Sequence, residues 1–100
     1  MCIRDRAKAI IAAGRRYCPH YLGGGIGLAA SAHLLCAAGG DGLMEVDAND
    51  NVLREGLADP LFPLHDGRMH LPDGPGLGYV PDLAPLSDLL SEEFDERIAA

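Results

Sequence analysis

Two residues of this 100-residue chain carry side chains suited to proton transfer: His20, in Cys18-Pro19-His20-Tyr21, and Glu45, in Leu43-Met44-Glu45-Val46-Asp47. An imidazole titrates near neutral pH and can take or give a proton; a carboxylate beside it can accept a substrate hydroxyl, or act as an acid where its pKa is raised. Each also has a plainer reading as a strand-end residue with no chemical role. Between them lies Gly23-Gly24-Gly25-Ile26-Gly27. Backbone amides where such a loop enters a helix bind carboxylate or phosphate, which makes Gly23, Gly24 and Gly25 candidate substrate-binding positions. Glycines there equally serve a tight turn or close packing. Read literally, Gly25, Gly27 and Ala30 match GxGxxA, with Asp47 22 residues beyond Gly25, the pattern of a dinucleotide-binding βαβ unit. Against that pattern, the segment before the loop, Arg15 to His20, is polar and holds Pro19, whereas the first strand of such a fold is central and apolar.

The elements that must position these groups follow from pattern. Ala7, Ala9, Ile10, Ile11, Ala12 and Ala13 favour a helix from Arg6 to Ala13, with Gly14 where a terminating glycine belongs. Arg15 to Leu22 reads as a short strand. Ile26 to Ala38 is apolar on nearly every side and predicts a helix buried on two faces, stopped by Gly39 and Gly40. Leu43 to Val46 reads as a second strand. Strand, helix and strand joined over about twenty residues form a parallel βαβ unit, which places His20 and Glu45 at the same edge. Beyond Asp47, the residues Asn49, Asp50 and Asn51 are turn formers, and no helical pattern is expected for more than thirty residues. Leu61 to Leu64 and Arg68 to Leu71 flank Asp66-Gly67, a hairpin signal. Pro72 to Gly78 predicts an irregular loop, and Leu86, Leu89, Leu90, Phe94 and Ile98 fall near helical spacing.

Composition narrows the class. The chain is 48% hydrophobic and 23% charged, a globular balance, with a formal charge of −7. Residues 1 to 40 balance at +4 and residues 41 to 100 at −11. An acidic chain without a basic, aromatic-studded stripe does not suit nucleic acid, and no apolar run approaches the roughly 20 residues that span a bilayer. A cytoplasmic location is expected. Cys2, Cys18 and Cys36 suggest neither a disulfide framework nor a metal clip, and His20, His33, His65 and His70 make no HExxH pattern. No metal site is expected within the chain, and His33, His65 and His70 are assigned no role.

Taken in order, Cys18-Pro19-His20-Tyr21, the glycine loop, Ala32-His33-Leu34-Leu35, Leu43-Met44-Glu45-Val46-Asp47 and Leu71-Pro72-Asp73-Gly74-Pro75-Gly76-Leu77-Gly78 resemble a known family. The resemblance, from about Ala7 to about Leu86, is to the C-terminal part of the mandelate racemase and muconate lactonizing enzyme group of the enolase superfamily. It implies an α/β fold, the C-terminal portion of a TIM-type (β/α) barrel. The last two strands and the helix between them would occupy residues 7–50, and an irregular segment with a β-hairpin, residues 51–100, would complete a capping domain. Residues 1–6 do not fit and are expected to be a non-native leader. The implied chemistry is a Mg²⁺-dependent reaction in which a small carboxylate substrate, a hydroxy or sugar acid, loses its α-proton. In racemase-like members the seventh strand ends in a base histidine and the eighth in a glutamate that hydrogen-bonds substrate; those positions here are His20 and Glu45.

A whole barrel takes roughly 250 residues. The metal-holding carboxylates of strands three to five have no counterpart here, so Mg²⁺ in the parent enzyme is expected on ligands outside this chain. The resemblance further implies a homo-oligomeric parent acting as a dehydratase, racemase or cycloisomerase, with the isolated chain inactive. The alternatives are a dinucleotide-binding βαβ module built on Gly25, Gly27 and Asp47, and a non-catalytic interaction fragment.

Overall fold

The computed structural model describes residues 2–58 and 65–92, ordered as helix α1 (Ile3–Ala12), helix α2 (Gly25–Ala38), helix α3 (Val52–Ala58) and a 3-10 helix (Ala84–Leu89). The chain ends α1 as its glycine requires. Gly14 takes φ +67, its amide donates to the Ile11 carbonyl at 2.9 Å, and the Arg15 amide donates to Ile10 at 3.1 Å. This pair of bonds is a Schellman closure, which satisfies carbonyls the helix leaves free. α1 takes in Ile3 to Arg6 of the segment read above as a leader.

α2 occupies nearly the span its apolar run predicts and ends on Gly39 and Gly40, both with positive φ. Gly25, Leu28, Ala29 and Ala32 are buried, a stripe at helical spacing packed against α1, where Ala7 is fully buried, and against α3. The expectation of burial on two faces is corrected: Ile26 is 45% exposed, and Ala30 and Ala37 on the same face are exposed. An all-apolar helix buries only the faces that other elements reach, and here the neighbours lie on one side. Small side chains dominate this core, and among the described residues no large side chain is fully buried.

The two expected strands reduce to one rung. His20 and Glu45 form an isolated parallel bridge, with the Glu45 amide donating to the Pro19 carbonyl at 3.1 Å. The next rung toward the N-terminus would run from the Leu43 amide to the Tyr17 carbonyl. That amide instead meets Cys18 Sγ at 3.4 Å. Pro19 has no N–H to give. With those bonds missing, the parallel pairing survives without a regular ladder.

After Asp47 the expectation of no helix fails, because Asn51 is a cap and not only a turn former. Its Oδ1 accepts from the amides of Leu53 at 3.1 Å and Arg54 at 3.3 Å, and its carbonyl accepts from Glu55 at 2.9 Å, which opens α3. Asp66 (φ +50) and Gly67 (φ +70) form a type I′ turn, closed by reciprocal bonds of 2.9 Å between His65 and Arg68. Leu61 to Leu64, the first arm of the expected hairpin, lies outside the described residues. The loop from Pro72 to Gly78 is irregular, and His33 Nε2 donates to the Leu77 carbonyl at 3.1 Å, tying the loop to α2. The amphipathic helix expected around Leu86 is a 3-10 helix only as far as Leu89; Leu90 is extended, and Phe94 and Ile98 lie outside the described residues.

Candidate active site

In a parallel bridge the paired residues project to the same face, so His20 and Glu45 stand level on one side of their two segments. Both are exposed. They share that edge because α2 carries the chain back between two parallel segments: Arg15 to Leu22 runs into its N-terminus and Leu43 to Val46 follows its C-terminus, so the two segments point the same way. An imidazole beside a carboxylate can shuttle a proton while a substrate oxygen is held. A groove of about 780 Å³ runs past Leu35, Leu43, Val46 and Leu71, and its lining includes neither His20 nor Glu45.

The glycine loop follows His20 after Tyr21 and Leu22. Gly24 is extended and caps α2, and Gly25 is buried at the helix's first position. The loop is wedged between two neighbours. On one side lies the Tyr21 ring, which a Cβ on Gly23 would meet at 2.6 Å and a Cβ on Gly27 would overlap. On the other side is the start of α3: Asn51 Nδ2 donates to the Gly23 carbonyl at 3.4 Å, and a Cβ on Gly24 would lie 3.4 Å from the Leu53 carbonyl. Glycine at 23 and 27 thus makes room for an aromatic ring. The Tyr21 ring, 40% exposed, lies over Gly27 on the side from which an anion would reach the start of α2, so a ligand there displaces the ring.

Asp47, the acid that the dinucleotide reading requires, is engaged elsewhere. Its Oδ1 accepts from the Asn49 amide at 3.1 Å and from Asn49 Nδ2 at 2.7 Å, and its Oδ2 lies 3.9 Å from Arg54 Nη1. The Asn49 amide, more than the Asn49 side chain and the Arg54 guanidinium, holds the carboxyl below its ordinary range against an opposing desolvation. Arg54 also donates from Nη2 to the Asn49 carbonyl at 2.7 Å and to Glu55 at 3.0 Å, which braces α3 against the exit of the second segment.

Several positions that shape the site escaped the sequence reading. Gly42 is one: a Cβ there would collide with the Tyr17 carbonyl, so only glycine lets the two segments approach. Its signal was a glycine immediately before a strand. Asn51 and Arg54 are others; the signal was an Asn placed ahead of Val52-Leu53. Nothing local marks Tyr21 as a cover for the glycine loop.

Among the described residues no three His, Cys, Asp or Glu side chains are grouped so as to hold a metal ion, so the described part of the chain does not form the Mg²⁺ site that the resemblance implies. No described helix is long and apolar enough to cross a membrane. No curated protein and no solved structure is significantly similar to the chain. The family model described as enolase C-terminal domain-like matches residues 3–84, and the chain belongs to that family, whose fold is of the TIM-barrel type.

Proposed function

We propose that this chain supplies the closing strands and part of the catalytic edge of an enolase-superfamily lyase or isomerase that removes the α-proton of a hydroxy or sugar acid. The observation that carries the reading is the parallel bridge between His20 and Glu45, which holds an imidazole and a carboxylate level on one face at the exit of two adjacent segments. Active sites of barrels of this type gather at that end of the strands. In this reading His20 moves a proton, taking it from the substrate α-carbon or returning one to a departing hydroxyl. Glu45 hydrogen-bonds a substrate oxygen. The amides that follow Gly24 at the start of α2, which have no partner within the helix, hold the substrate carboxylate. Mg²⁺ belongs in this reading to carboxylates outside this chain. Dehydration is preferred over racemisation.

The test is the full-length protein with Mg²⁺ and a panel of 2-hydroxy and sugar acids in D₂O, with loss of the α-proton signal followed by NMR. His20→Asn should lower turnover by about 10² to 10⁴, the usual contribution of a positioned acid or base, and leave the fold intact. Turnover equal to that of the unaltered protein would remove His20 from the chemistry.

A further inference from the structure

The bridge that brings His20 level with Glu45 belongs to a consistent register. Arg16 donates from Nη2 and Nε to Asp41 Oδ2 at 2.9 and 3.1 Å, and Leu43 N meets Cys18 Sγ; each of these contacts joins residues 25 apart. The approach of Gly42 to the Tyr17 carbonyl and the bridge itself have the same offset. Arg16, Cys18 and His20 alternate along one segment and share a face, as do Asp41, Leu43 and Glu45 along the other. The ion pair sits at the entry of the two segments, about 13 Å before the bridge at four residues of extended chain. We infer that Arg16 and Asp41 are positioning residues, a clamp that selects the register in which His20 and Glu45 stand side by side.

A selecting device is needed because the pairing between the segments is thin. One backbone bond and one sulfur contact do not distinguish neighbouring registers, and a single-residue slip turns every side chain to the opposite face. A slip of two residues would set Arg16 opposite Leu43 or Gly39, with no charge to meet, and would bring Glu45 opposite Cys18 or Leu22 instead of His20. Glycine at 42 rejects slips of one residue, which would drive Asp41 or Leu43 against the Tyr17 carbonyl. The ion pair adds a charge match that holds at the observed offset. Both side chains are well exposed, at 59% and 75%, so the pair contributes selectivity more than bulk stability.

The inference rests on the reading of His20 and Glu45 as a catalytic pair, and its test separates the two. In the full-length protein, Arg16→Glu and Asp41→Arg are made singly and together, and amide exchange is followed by mass spectrometry. Each single variant should speed exchange of the Glu45 amide about five- to tenfold, as expected when a surface attraction becomes a repulsion, with the Ala32 amide inside α2 unchanged. The double variant, with the charges swapped, should return the Glu45 amide to within about twofold. On the acid panel, kcat should fall about tenfold in the singles with KM held, and recover in the swap. Unchanged Glu45 exchange in the singles, or a swap that fails to restore it, overturns the clamp. Turnover that His20→Asn abolishes but Arg16→Glu leaves untouched overturns the positioning role alone. Turnover indifferent to both overturns the catalytic reading beneath it.

Discussion

Replacing Gly42 with alanine tests the argument that two backbone segments meet at one atom pair. A Cβ at this position collides with the Tyr17 carbonyl, well inside the ~3.3 Å at which carbon and oxygen make contact. The obstacle is backbone on both sides, so no rotamer change relieves it, and the segments must separate by about an ångström or more. The Pro19–Glu45 bond, 3.1 Å in the structure, then exceeds hydrogen-bonding range. Loss of that bond costs about 1 kcal/mol and the overpacking a further 1 to 3, so destabilisation of about 2 to 4 kcal/mol is expected. Displacement of His20 relative to Glu45 on that scale should reduce turnover about a hundredfold. Denaturant unfolding gives the first number, and α-proton loss on the acid panel gives the second. Gly14→Ala is the control: φ there is +67 but nothing lies within 4 Å of an added Cβ, so only the backbone penalty of about 1 kcal/mol applies, with turnover unchanged. A Gly42→Ala protein with full turnover and an unaltered Glu45 amide would refute the proposed close approach.

Three further outcomes follow from single groups. Asn51→Ala removes the side-chain acceptor of the Leu53 and Arg54 amides and should cost about 1 kcal/mol by denaturant unfolding, with faster exchange confined to the first turn of α3. Because the folded state holds the Asp47 carboxyl below its unfolded value of 3.8, its contribution is fully present above that pH and is lost as pH falls through the lower folded value. Asp47→Asn should therefore flatten the acid limb of a stability-against-pH curve below pH 3.8 while lowering stability at neutral pH. The Tyr79 hydroxyl is buried without a partner among the described residues, and burial raises its pKa, so Tyr79→Phe should stabilise by about 1 kcal/mol in thermal melts; a loss would reveal a partner for the hydroxyl.

Much of this molecule was legible before any fold was known. The glycines at 14, 39 and 40 end α1 and α2 because only glycine takes positive φ without strain, and Asp66-Gly67 makes its turn for a related reason. The spacing of His20 and Glu45 around a helix of about fourteen residues placed them at one edge, since a parallel connection leaves no other choice. Such features are local, or follow from connectivity, and survive whatever surrounds them.

Tertiary structure alone decided what meets across the chain. Whether Asn51 ends a turn or starts a helix depended on α3 finding α2 to pack against. Tyr21 covers the glycine loop, and Asp47 turns to Asn49 and Arg54, contacts only two to seven residues apart that depend on the path the chain takes and not on hydrophobic pattern. The two expected strands became a single rung, because Pro19 has no N–H to give and the Leu43 amide goes to the Cys18 sulfur in place of the ladder carbonyl. Pattern states what each segment can bury or bond; only the assembled chain states which of those demands are met.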